Sequence, residues 1–110
     1  METMEKFRKA ADEFARKAME NYGVNIDKII LFGSVARGEA DKKSDIDILV
    51  VWNGKEEDGW RKMTGLAFEI LLETQEYISI KVVTPQDLES QDPFINNVVK
   101  DGIEIAYGIS

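Results

Sequence analysis

Two aspartates, Asp45 and Asp47, stand two residues apart at the head of an apolar run, IDILVVW. On a β-strand side chains alternate, so residues two apart share a face with Cα atoms roughly 6.5–7 Å apart. Carboxylates at that spacing can converge on one or two Mg²⁺ ions, which clamp phosphate oxygens during in-line displacement. An isolated Asp-x-Asp is weak, being common in loops and at helix starts. The apolar run directly after it gives it weight: Ile46, Ile48 and Val50 fall on one face, Asp45, Asp47 and Leu49 on the other. Two like charges on one strand face cost stability unless a cation joins them. Upstream, Gly33-Ser34 follows a first apolar run and precedes a short helical turn. Glycine there lets the backbone approach a ligand closely, and a helix N-terminus offers free N–H groups and positive dipole, to which Ser34 adds a hydroxyl. The pair outlines a phosphate cradle. An isolated Gly-Ser is more often an ordinary strand-to-helix turn with the serine as N-cap.

Composition narrows the chemistry. The chain has 110 residues, 44% of them hydrophobic, which suits one compact domain over residues 1–110. There is no cysteine and no histidine. Disulfides, thiolate metal sites, Ser-His-Asp triads, imidazole bases and the common zinc sites are therefore excluded. Carboxylates remain: 21 Asp+Glu against 14 Lys+Arg leave a net charge of −7. Such an acidic surface repels phosphate backbones, so no direct nucleic-acid binding is expected. A hard cation held by oxygen ligands suits the inventory best. The N-terminus is charged throughout, without the apolar core of a signal peptide, and no apolar run approaches a membrane span. A soluble cytoplasmic protein is the expectation.

The elements that must position these residues can be read from hydrophobic period. Phe7, Ala11, Phe14 and Ala18 form one stripe of an opening helix, which Gly23 ends. Glu5–Lys9, Asp12–Arg16 and Glu13–Lys17 are expected i,i+4 pairs on its solvated face. Runs at 28–32 and 46–52 are short, β-branched and apolar, hence strands. The acidic stretch KEEDG reads as a loop. Residues 60–74 read as a second long helix, apolar over most of its circumference, so either deeply packed or partly covered by a partner. A third strand covers 77–84, and Pro85 then suits a first helical turn with Thr84 as N-cap. That helix spans about 86–100, with Pro93 as a point of breakage, and 103–107 forms a last strand. The order α-β-(short α)-β-α-β-α-β predicts an α/β (α+β) fold, a small mixed β-sheet packed with helices.

Together the two motifs resemble the signature of minimal nucleotidyltransferases of the DNA polymerase β superfamily. The stretch reads GS, ten intervening residues VARGEADKKS, then DID, with Ala36-Arg37-Gly38 and Ser44-Asp45 also in place. At average residue usage, a chance match at a given start is on the order of 10⁻⁸. The resemblance extends over the whole chain and implies a nucleotidyltransferase fold. It implies that Gly33 and Ser34 contact nucleotide phosphates and that Asp45 and Asp47 bind Mg²⁺, or Mn²⁺, as the catalytic acids. For Arg37 it offers a phosphate contact or a brace for the loop, of which bracing is favoured.

One position departs from the pattern. The family usually carries a third carboxylate on the strand after the second long helix, in a sequence such as V-D-V-V-x-P. Here the stretch is Ile80-Lys81-Val82-Val83-Thr84-Pro85, with Lys81 where the acid belongs and Ser79 one strand period away. A cation within ~4 Å of a Mg²⁺ site repels the metal by several kcal/mol at an effective dielectric of about 20. The expectation is that Lys81 pairs with Asp45 or Asp47 and partly substitutes for the ion; a lysine snorkelling to water is the alternative.

Two functions follow. In the first, the chain uses an Mg-NTP, ATP being favoured, to transfer a nucleoside monophosphate to a hydroxyl on a partner protein. The family resemblance points to a HEPN-type toxin whose antitoxin this chain would be. In the second, it is a catalytically impaired nucleotide-binding or antitoxin module that neutralises its partner by contact. Trp52, Trp60 and Tyr107 would then offer contact surface, although such aromatics are more often core. No base-reading motif is visible.

Overall fold

The computed structural model describes residues 2–107. Helix α1, Glu2–Tyr22, buries Phe7, Ala11, Phe14 and Ala18, as the stripe requires, and stops at Gly23. Its charges pair differently from the expected scheme. Arg8 bonds Asp12 at 3.2 Å, and Arg16 takes Glu20 at 2.7 Å and also Glu13. Lys17, largely covered, leaves its own helix for Glu73. Exposed pairs contribute only about 0.3–0.5 kcal/mol each, so several pairings are nearly equivalent and packing decides among them.

Strand β1, Ile26–Phe32, runs straight into the short helix α2, Gly33–Arg37, and strand β2 occupies Ile46–Trp52. Helix α3, Glu56–Thr74, begins earlier than expected. The acidic stretch read as a loop is its first turn, where Glu56, Glu57 and Asp58 face the positive end of the helix dipole. Strand β3, Ile78–Val83, leads to helix α4, Pro85–Glu89. Thr84 caps it through a reciprocal pair: Asp87 N–H donates to the threonine hydroxyl at 3.3 Å, and Thr84 N–H donates to the Asp87 carboxylate at 2.9 Å. The chain breaks before Pro93, and Asp92 starts a separate helix α5, Pro93–Asp101, by accepting from Phe94 N–H at 2.8 Å. Strand β4, Ile103–Tyr107, closes the described chain.

Among the described residues the strands form one mixed sheet in the order β3-β2-β1-β4. β1 lies antiparallel to β2 and to β4, whereas β2 and β3 are parallel and need α3 as their crossover. Both faces of the sheet are buried, which explains the near-continuous apolar strands. On one face Ile29, Leu31, Ile48 and Val50 pack under α1 and α3 with Phe14, Met63 and Ile70. On the other, Ile30, Leu49, Val51 and Val83 pack under Ile95 and Val98 of α5. α3 is buried along Met63, Leu66, Ala67 and Ile70 but leaves Trp60, Phe68 and Leu72 exposed. Trp52 belongs to the core, and the Tyr107 side chain lies outside the described part. No described helix is long and apolar enough to cross a membrane.

α3 can lie this close to the sheet because residue 59 has no side chain. A Cβ there would stand 2.5 Å from Cγ of Trp52, a ring only 1% exposed. Gly→Ala inside a helix ordinarily stabilises. Here the sign reverses: Gly59→Ala should cost about 2 kcal/mol and lower Tm by roughly 10 °C in a thermal melt.

Candidate active site

The two motifs meet at one end of the sheet. Phe32, the last residue of β1, lies opposite Asp47 on β2, so the turn into α2 passes directly over that carboxylate. Gly33 makes the turn with φ +76°, and a Cβ there would stand 2.2 Å from Oδ2 of Asp47. Backbone sign and space each demand glycine. Ser34 is not the N-cap of α2; that position is Phe32, in extended conformation and without a side-chain cap. The Ser34 carbonyl accepts from Glu39 N–H at 2.9 Å.

The spacer between the motifs is tied by its own side chains. Asp41 N–H donates to the Ser44 hydroxyl at 2.9 Å, and Lys43 N–H donates to the Asp41 carboxylate at 2.9 Å. Ile46 N–H is held by the Tyr77 carbonyl at 3.0 Å. β2 therefore begins at Ile46, so Asp45 sits just before the strand, exposed, rather than on it. Asp47 is within the strand and half-buried. Burial pushes its carboxyl above the usual aspartate range, the neighbouring Asp45 charge adds to this, and Arg37 partly offsets both. Arg37 itself bonds Glu39 at 3.2 Å and is mostly exposed.

The parallel register places Ser79 beside Asp47 and Lys81 beside Leu49, one pleat further along the same face. No carboxylate stands level with Asp47 on β3. Lys81 does not pair with Asp45 or Asp47, contrary to expectation; its ammonium lies 5.7 Å from the Phe94 ring centroid. The offset of one pleat and the aromatic face on α5 account for the difference.

Among the described residues no group of three Asp, Glu, His or Cys side chains could hold a metal. The donor set at hand is two carboxylates, one of them half-buried and raised by that burial and by the other's charge. That set suits a hard divalent cation that completes its shell with waters and the oxygens of a phosphate substrate. It does not suit a cation enclosed by protein alone.

Sequence reading missed the wall beside this end of the sheet. A cavity of about 330 Å³ opens next to Gly33, bounded by Phe32, Arg37, Phe94, Asn97 and Asp101. Phe32 and Phe94 meet edge-on, with ring centroids 5.8 Å apart. One signal was available: Phe94 directly follows Pro93 at a helix start and departs from the buried Ile95 and Val98 positions. A larger hollow of about 570 Å³ between α1 and the end of α3 is lined by Lys6, Lys9, Glu13 and Glu73 and contains none of the motif residues.

Comparison with known proteins places this geometry. A family model described as nucleotidyltransferase domain matches residues 8–105. A Methanocaldococcus jannaschii protein named "Putative protein adenylyltransferase MJ1305" is 34% identical over 101 residues, covering 87% of this chain and 68% of that protein. In fold, the chain is similar to a "putative nucleotidyltransferase from Sulfolobus solfataricus", with TM-score 0.66, 21% identity and coverage of 94% and 82% of the two chains. It is also similar to a chain of a "toxin-antitoxin with AMP-PNP" structure, with TM-score 0.61, 20% identity and coverage of 90% and 74%. The two structural likenesses speak to the fold; the match along most of the sequence decides the family. The chain belongs to the nucleotidyltransferase domain family.

Proposed function

We propose that this chain transfers AMP from ATP, with Mg²⁺ or Mn²⁺, to a hydroxyl on a partner protein. The observation that carries the reading is the close approach of Gly33 to Asp47, which would join a backbone phosphate cradle and a metal-holding carboxylate in one structure. A relative named as a protein adenylyltransferase supports AMP and a protein acceptor. A neighbour described as a toxin-antitoxin with AMP-PNP supports a toxin as that acceptor, and the family resemblance favours a HEPN-type one. Gly33 and Ser34 would receive the triphosphate on free N–H groups and the serine hydroxyl, with Arg37 near enough to act on the same charge. Asp45 and Asp47 would hold the cation, which supplies charge neutralisation on the phosphates. The acceptor oxygen bonds to the α-phosphorus, the bridge to the β-phosphate breaks, and pyrophosphate leaves. With Ser79 and Lys81 in place of a third acid, the acceptor proton goes to water or to the partner's own groups. Positioning and electrostatics thus carry the catalysis, as befits a chain without His or Cys.

A contact-only antitoxin is the second reading. Lys81 on the catalytic face and the exposed Trp60, Phe68 and Leu72 favour it.

Incubation with the partner, Mg²⁺ and α-labelled ATP separates the two. Transfer that falls at least 100-fold in Asp47→Ala supports the enzyme, whereas intact partner binding without transfer supports the module. Lys81→Asp should raise the transfer rate or Mg²⁺ affinity about tenfold, since it replaces a repelling charge with an attracting one; an unchanged metal titration counts against the reading.

Stability gives an independent test. A carboxyl raised in the folded state binds more protons there than in the unfolded chain. The contribution of Asp47 is therefore most favourable below the ordinary aspartate value near 3.8 and is lost as pH rises through the raised one. At pH 7 Asp47→Asn should raise Tm by roughly 2–4 °C, about 0.5 kcal/mol after allowance for solvent screening. The gain should shrink as pH falls toward 3.8. Mg²⁺ should stabilise the wild type and not the variant.

A further inference from the structure

We infer that the cavity between the end of β1 and α5 holds the nucleoside of a purine triphosphate, with Phe94 as its aromatic wall and Asn97 as the reader of the base edge. The inference rests on the reading of the chain as a nucleotide-binding enzyme and adds to it the part of the site that sets base preference.

Position is the first argument. Gly33 belongs both to the cavity lining and to the contact with Asp47. A triphosphate laid over Gly33 therefore has the carboxylates on one side and the cavity on the other. Its nucleoside end then meets the half-open hollow that Gly33 also lines. The volume of about 330 Å³ falls at the lower end of small-ligand cavities, and the lining is predominantly apolar with a few convergent polar groups.

Side-chain order on α5 is the second. Phe94, Asn97 and Asp101 are spaced i, i+3, i+7 and line the cavity together, while Ile95 and Val98 enter the core. The row runs aromatic, amide, carboxylate. Phe94 remains 46% exposed although its ring meets Phe32 edge-on and carries the Lys81 ammonium 5.7 Å from its centroid, so part of the ring is still open. An aromatic surface left open on a cavity wall is a stacking platform for a base. A carboxamide presents a donor and an acceptor side by side, which matches the amine and ring N7 of adenine and mismatches the N7/O6 edge of guanine, where both groups are acceptors.

Charge fixes the orientation. Arg37 and Asp101 both line the cavity, the first attracting a polyphosphate and the second repelling it. The phosphates therefore lie by Gly33 and Arg37, and the base lies along α5.

The test is calorimetric titration of the full chain, in Mg²⁺, with ATP, GTP and inorganic tripolyphosphate. The wild type should bind ATP more tightly than either other probe. Asn97→Leu, a neutral change at an exposed residue, should weaken ATP about tenfold and leave GTP and tripolyphosphate within twofold. Phe94→Leu should weaken ATP and GTP together, about fivefold, and again spare tripolyphosphate. If the wild type binds ATP but both variants bind it equally well, or if ATP and tripolyphosphate fall together, the pocket assignment is overturned and the nucleotidyltransferase reading stands. A wild type that binds tripolyphosphate as tightly as ATP overturns the pocket alone. A wild type that binds neither overturns both.

Discussion

The structure turns on a steric exclusion: no atom larger than hydrogen fits on residue 33 in the space that Asp47 occupies. Everything at that end of the sheet follows from it. β1 and β2 must be antiparallel neighbours in the one register that sets Phe32 against Asp47, or the glycine would not reach the carboxylate. The short α2 leaves the sheet at once through the left-handed turn at Gly33. The spacer must then return to the same sheet end, which the Asp41 and Ser44 bonds secure. Core packing on both faces holds the two strands rigid enough for the contact to persist.

Much of this was legible in the residues. The helical stripe of α1, the apolar runs of β1 to β3 and the Thr84-Pro85 start of α4 each carry a local signal, and local signals survive folding. The acidic first turn of α3 was less legible, because Glu-Glu-Asp after Asn53-Gly54 has the composition of a loop and also of a helix N-terminus. In the fold this stretch is helix, and the next residue, Gly59, packs on Trp52. The position of Lys81 was beyond sequence reading for a related reason. Parity gives the face of a strand residue, but the pairing register gives its level, and register is fixed across the sheet. Phe94, Asn97 and Asp101 come to Gly33 from more than sixty residues away in the chain, a juxtaposition that no spacing rule encodes.

The surplus of acids takes on a sharper meaning in three dimensions. Most of the carboxylates are spread over solvated helix faces, where Arg8, Arg16 and Lys17 answer them. At Asp47 the repulsion is concentrated instead, in a half-buried place beside a second aspartate and with a cation only at its margin. A fold of modest size that keeps such a pair accepts a local cost to stability, which is the usual mark of a binding or catalytic site.

Lys81 has a second consequence, unrelated to phosphate or metal. Among the described residues the strand order leaves β3 at the rim of the sheet, with one side of its backbone unpaired. Lys81 is the exposed member of that strand, set among Ile78, Ile80, Val82 and Val83. An unguarded row of such residues would accept a strand from another molecule and so seed aggregation. A charge in the middle of the row forbids it, because a docking strand would have to bury it. Lys81 thereby protects the sheet's open border, and any charged residue at 81 would serve as guard where a β-branched one would not.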